Sequence, residues 1–221
     1  VKKVKYILRS ADLILAVSES NRKEIEDNFI AKQLKLIYNG VQINKFNAEG
    51  DKKNIVITVG NVTRENLQRK GLETFVRSAA FLPDVEFILI GKHFDDSSEY
   101  LSSIASDNVT FTGFVSDDEL LNYMQEAKVY VQVSAHEGFG ISLAEAMLCE
   151  CIPVVTSSGA LPEVAGNSAF YVSIKDPQQT AEAIKKALEA ENGEQFRRHI
   201  KENYSLNNRE EQLVKIIGDL S

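Results

Sequence analysis

From residue 54 onward, short runs that are apolar on consecutive residues alternate with helix-like segments. The runs are NIVITVG (54–60), VEFILIG (85–91), VTFTG (109–113), KVYVQVS (128–134), CIPVVTS (151–157) and AFYVS (169–173). A strand that is apolar on both faces must be covered on both faces, and strands separated by helices are joined by crossovers rather than hairpins. The pattern therefore predicts an α/β domain with a Rossmann-like, doubly wound parallel sheet over 54–190. Helices are expected at 71–82, 95–106, 116–127, 140–149, 161–166 and 177–190. Ser116 followed by Glu119 reads as a capping box, and Pro177 suits a first helical position. Two further helical stretches, near 194–202 and 206–219, fall in a C-terminal part, 191–221, expected to pack back toward the N-terminal unit.

The first 38 residues read as the tail of another unit. LILAV (13–17) is a buried strand, Ser18 caps a polar helix with Ile25 and Phe29 on one face, and KLIY (35–38) is a second short strand. The turn pair Asn39-Gly40 opens a polar linker, 39–53. The chain opens on the basic amphipathic stretch VKKVKYILRSA with Val rather than Met, so the first part of a longer protein is expected to be missing.

Composition narrows the function. Of 221 residues, 25 are Lys or Arg and 32 are Asp or Glu, a formal charge of −7, which gives no general attraction to nucleic acid or an anionic membrane. Cys149 and Cys151 make no disulfide framework and lack zinc-site spacing, so they read as buried apolar residues of a cytoplasmic chain. No apolar run reaches the roughly 18 residues of a membrane span, and the opening stretch does not read as a signal peptide.

In open parallel sheets, ligands bind where strands end and helices begin. Three such loops carry candidate residues. GNVTRENLQRKG (60–71) holds Arg64, Arg69 and Lys70 and reads as a long loop entering a helix near Lys70-Gly71, a setting for an anion such as a diphosphate. It matches neither a P-loop nor G-x-G-x-x-G, which argues against a nicotinamide cofactor. TGFVSDDEL (112–120) offers Gly113 for close backbone approach and Val115 as a surface for a flat base. SAHEGFGISLAEAM (134–147) places Glu137 before a helix and Glu145 in its second turn. Gly138 and Gly140 leave room for a ligand, and the N–H groups of Phe139, Gly140 and Ile141 lie at the helix start. Glu145 among Ala144, Ala146, Met147 and Leu148 needs a partner. His93, His136 and His199 read as surface or structural, Asp95-Asp96 and Asp117-Asp118 as helix caps. No serine triad or metal cluster is visible.

Together these residues resemble a known family. EGFGISLAE (137–145) matches the E-x7-E pattern of retaining glycosyltransferases with the GT-B fold, the group that includes glycogen and sucrose synthases and many mannosyl- and glucosyltransferases. IYNGVQINKF (37–46), TVGN…RKGLETFVRSAA and the stretch from Val109 to Gly166 agree with the same family, so the resemblance covers about 10–190. It implies transfer of a hexose from a nucleotide-diphosphate sugar with retention of anomeric configuration, and no metal or other cofactor. It implies that Glu145 holds the ribose, Glu137 lies near the hexose, Lys70 binds the diphosphate, the amides of residues 139–141 face sugar and phosphate, and Val115 lies beside the base. The family's Arg after the first strand's Gly is here Asn61, with Arg64 expected to supply the second positive charge. The resemblance implies a donor-binding half, inactive in isolation. The glycan, lipid or small-molecule acceptor would sit on the missing N-terminal domain, which is also the expected place of any peripheral contact with the inner membrane face. Alternatives are a nucleotide-sugar 2-epimerase or phosphorylase-like protein of the same fold, or a non-catalytic nucleotide-sugar-binding module.

Overall fold

A computed structural model describes residues 2–219. Val1, Leu220 and Ser221, which the expected outer segments include, lie outside the described residues. The chain opens with α1 (Lys2–Ser10), β1 (Ile14–Ala16), α2 (Glu19–Asn28) and β2 (Leu34–Leu36). β1 and β2 pair in parallel as a two-stranded sheet. Ile14, Ala16 and Ile25 form its small core, with Leu8, Phe29, Leu34 and Leu36 packed around them. The Ser18 side chain accepts from the Asn21 N–H and so caps α2, as the sequence predicts.

The rest of the chain runs β3 (Lys53–Val59), α3 (Arg64–Arg69), α4 (Leu72–Ser78), β4 (Glu86–Ile90), α5 (Ser97–Ile104), β5 (Val109–Gly113), α6 (Asp117–Glu126), β6 (Ala127–Gln132), α7 (Ile141–Leu148), β7 (Ile152–Thr156), α8 (Leu161–Ala165), β8 (Phe170–Val172), α9 (Pro177–Glu189), α10 (Gly193–Asn203) and α11 (Leu206–Asp219). The six strands β3–β8 form one sheet in the order β5-β4-β3-β6-β7-β8, and every pairing is parallel. The doubly wound sheet expected from the apolar runs is therefore present. Burial explains those runs: Ile152–Thr156 is buried along its whole length, as is Phe87–Ile90. Phe75, Phe87, Tyr130 and Leu143 fill the space between sheet and helices. Full burial of such a side chain contributes about 1.5–3 kcal/mol.

The strand order fixes where a site can lie. From β3 the chain winds outward through β4 to β5, then returns to place β6 on the other side of β3 and winds outward again through β7 to β8. Adjacent β3 and β6 thus send their connections to opposite sides, and a crevice opens at their carboxyl ends. The segments after them are 60–71 and 133–140.

The first of these differs from expectation. Residues 60–71 do not form an extended loop; they contain α3, capped by the Thr63 side chain accepting from Asn66 N–H. Lys70 ends α3 in a right-handed conformation, and Gly71 turns the chain into α4 with φ +70°. A Cβ on Gly71 would lie 2.3 Å from the Val133 carbonyl oxygen, so only glycine allows this turn to press on the end of β6. The helix expected over 71–82 is correspondingly shorter, Leu72–Ser78, with a 3₁₀ turn at Ala79–Phe81.

The two sheets are joined through the linker and the last helices. Val41 donates to the Tyr204 carbonyl, Leu206 donates to that of Val41, and Arg209 reaches the carbonyls of Ile37 (3.0 Å) and Tyr38 (2.7 Å).

Candidate functional site

The crevice between β3 and β6 holds a compact polar cluster. The Lys70 ammonium lies 2.7 Å from Glu137 Oε2, and both side chains are largely covered, 20% and 14% exposed. Gln132, the last residue of β6, donates through Nε2 to the same oxygen at 2.7 Å. The backbone enforces this meeting. Ala135 N–H donates to the Arg69 carbonyl at 2.8 Å, tying the segment after β6 to the end of α3. Glu137 therefore meets a cation presented by a helix C-terminus on the neighbouring strand's connection.

Next to Glu137 the chain enters α7. Gly140 precedes it with φ +96°, and α7 continues through Ala144 N–H donating to the Gly140 carbonyl. Among the described residues no acceptor faces the N–H groups of Phe139, Gly140 and Ile141. A Cβ on Gly138 would meet nothing within 4 Å, so the space beside it is open. Unfilled helix-start amides beside an open backbone suit an anionic or polyhydroxyl ligand. The Phe139 side chain faces inward: it is 3% exposed and stands edge-on to Tyr204, which also meets Tyr38 and His199.

Glu145 lies one turn further along α7. Burial raises its carboxyl from the ordinary 4.5 to about 7, with Lys45 pulling the other way and Asp117 adding to the rise. Among the described residues no hydrogen bond reaches this carboxyl. Among the described residues, the Lys45 charge acts on it but no hydrogen-bond partner is supplied. Lys45 comes from the linker and bonds Asp117 Oδ2, in the first turn of α6, at 2.6 Å. That pair lies just beyond Gly113 and Val115, where Val115 is half-buried and a Cβ on Gly113 would meet nothing within 4 Å.

The loops thus bring together Lys70, Glu137 and the start of α7, with Glu145 along the same helix. Two expected contributors do not join them. Arg64, expected to provide a second positive charge, points its guanidinium at Asp96 (3.3 Å) with the side chain 80% exposed. Its own N–H donates to Asp95. The reason is that residues 64–69 fold as a helix, which carries Arg64 at its first turn, away from the Lys70 end. Asn61 is occupied too: its Oδ1 accepts from the Lys92 N–H and its carbonyl from Asn66. Among the described residues no group of three or more His, Cys, Asp or Glu is placed to hold a metal ion. His136 is exposed near Glu24, whereas His199 packs on Tyr204, as surface and structural histidines should.

Two neighbours of the site went unnoticed in the sequence. Glu163 in α8 accepts the Glu19 and Ser20 N–H groups at 2.8 and 2.7 Å, while Ser18 donates to the Gly138 carbonyl at 2.9 Å. The start of α2 is thereby seated on the Glu137–Phe139 turn. Gln132 is the other, and nothing in an apolar strand run signals which way its amide points.

Comparison with known proteins agrees with this architecture. The chain is 24% identical to sucrose-phosphate synthase of Thermosynechococcus elongatus, with a TM-score of 0.88 over 98% of this chain and 60% of that one. It superposes equally well, at 19% identity and TM-score 0.88, on the Anabaena HepE protein solved with UDP and glucose, covering 98% of this chain and 66% of that one. Both likenesses establish the GT-B fold. In sequence, an uncharacterised glycosyltransferase of Methanocaldococcus jannaschii is 26% identical over 91% of this chain and 57% of its own length. A GDP-mannose:cellobiosyl-diphosphopolyprenol alpha-mannosyltransferase of Xanthomonas oryzae is 28% identical over 73% of this chain and 44% of its own. The chain spans about half the length of these relatives. The family described as glycosyl transferases group 1 matches residues 42–205, well over half of the sequence, and the chain belongs to it.

Proposed function

We propose that this chain is the donor-binding half of a retaining hexosyltransferase that uses a nucleoside-diphosphate sugar. The observation that carries the proposal is the Lys70–Glu137 pair in the crevice, beside the unfilled amides at the start of α7. Lys70 and the amides of Phe139, Gly140 and Ile141 receive the diphosphate. Glu145, half-buried and among the described residues without a hydrogen-bond partner, accepts from the ribose hydroxyls. Glu137 orients the hexose. The base lies along Gly113 and Val115.

The chemistry follows from charge. As the bond between the anomeric carbon and the β-phosphate oxygen breaks, negative charge grows on that phosphate. The α7 amides, which have no acceptor of their own among the described residues, meet that charge, and Lys70 meets it by exchanging Glu137 for the phosphate. Donors so placed contribute about 3–4 kcal/mol each to lowering a barrier of this type. The acceptor hydroxyl attacks the face the phosphate leaves, its proton passing to the departing phosphate oxygen, which retains the anomeric configuration, and Glu137 acts as an orienting acceptor rather than a covalent nucleophile. Relatives spanning about twice this chain's length leave room for an acceptor-binding part outside it.

The donor classes that support the reading are those of its relatives: UDP and UDP-glucose bound in solved structures, GDP-mannose in the name of a sequence relative. Calorimetric titration tests it. Glu145→Ala should weaken binding of plain UDP or GDP, whereas Glu137→Ala should act mainly on UDP-glucose or GDP-mannose. Equal losses for both variants with plain nucleotide overturn the division of roles.

A further inference from the structure

Gln132 is a polar residue at the buried end of its strand, next to three apolar neighbours. Val129, Tyr130 and Val131 beside it are fully buried, and Gln132 itself is 3% exposed. Its Nε2 lies 2.7 Å from Glu137 Oε2, the same oxygen that Lys70 meets at 2.7 Å. An ionised carboxylate only accepts, so the amide nitrogen must face Glu137 and the amide oxygen must face away. That oxygen is buried and has no hydrogen-bond partner. A buried acceptor left unpaired costs stability, and a leucine or methionine here would avoid the cost.

We infer that Gln132 is a positioning residue that holds Glu137 when Lys70 turns to the donor. The inference rests on the donor-site reading above. Two donors share Glu137 Oε2, while among the described residues Oε1 receives none. A diphosphate competes for the Lys70 ammonium, because its oxygens carry more charge than one carboxylate. Glu137 then loses its flexible partner. Gln132 cannot follow, since it is packed inside β6, and its N–H keeps Oε2 in place. Oε1 stays directed to the site for a sugar hydroxyl. The unpaired amide oxygen is the stability cost of that fixed donor.

The test compares the wild-type chain with Gln132→Leu, Gln132→Met and, as control, Glu137→Ala. Dissociation constants are measured for UDP, GDP, UDP-glucose and GDP-mannose, and thermal midpoints are recorded. The inference expects both Gln132 variants to melt no lower than wild type and to bind plain nucleotide within about twofold of it. Their dissociation constant for whichever nucleotide sugar binds should rise about tenfold or more, the scale of a hydrogen bond to a charged group. If Glu137→Ala changes the sugar-to-nucleotide ratio and neither Gln132 variant does, the inference fails and the donor-site reading stands. If the Gln132 variants lose both ligand classes in step with a lower midpoint, the residue is only structural and the inference fails. If Glu137→Ala leaves the ratio unchanged, the reading of Glu137 fails and takes the inference with it.

Discussion

Glu145 shows how a single residue records its surroundings. Its carboxyl titrates near 7 because burial penalises the charge. Folded chains therefore hold a proton between pH 4.5 and about 7 that unfolded chains have released. The stability Glu145 contributes is present in full below 4.5 and is lost as pH rises through about 7. At 1.36 kcal/mol per unit this amounts to about 3 kcal/mol. Thermal midpoints of wild type should fall across that window more steeply than those of Glu145→Gln, and parallel profiles would contradict the assignment. Binding should run the other way: if the carboxylate accepts ribose hydroxyls as proposed, affinity for UDP or GDP grows as pH rises through about 7, and Glu145→Gln flattens that rise. The sequence already marked Glu145 as a carboxyl in an apolar setting. It did not mark Lys45, because a linker residue 100 positions away meets α6 and α7 only after the chain folds. Gln132 was equally hidden, since strand patterning says which face a residue takes and not which atom it touches.

Single elements were legible where local chemistry decides them. Ser116 and Glu119 form the capping box their spacing predicts, and Ser18 caps α2. α3 was not legible: six residues, RENLQR, carry too little apolar periodicity to separate a short helix from a polar loop. Its consequence is large, because the helix fixes Lys70 at its end and sends Arg64 to Asp96. Gly71→Ala should destabilise the chain by about 2 kcal/mol or more, since the new Cβ meets the Val133 carbonyl and the φ is left-handed. Denaturant midpoints measure this, and a change below about 0.5 kcal/mol would contradict the packing described. Glu163→Ala should remove the acceptors for Glu19 and Ser20, costing about 1–2 kcal/mol and speeding amide exchange at those two residues. Unchanged exchange there would show that α2 is seated by other contacts.

Across the whole molecule, the parallel sheet and its strand reversal follow from the apolar runs and the helices between them, and the crevice follows from the reversal. The chain's overall balance is acidic, −7, while the crevice presents the cation Lys70. Val4, Tyr6 and Ile7 on α1 and Val214 and Ile217 on α11 are exposed large hydrophobic residues. Ligand binding should be visible as global stability. At a nucleotide concentration 100 times its dissociation constant, unfolding free energy rises by about 2.7 kcal/mol, or roughly 5–10 °C in midpoint for a chain of this size.

Calorimetric titration of wild type and Glu145→Ala with UDP, GDP and ADP, in buffer with chelator, decides whether the crevice between β3 and β6 binds a nucleoside diphosphate through Lys70, the start of α7 and Glu145. At least one of the three should bind wild type, and Glu145→Ala should weaken it by about tenfold or more. No binding by any of them, or equal affinity in the two chains, would contradict that assignment.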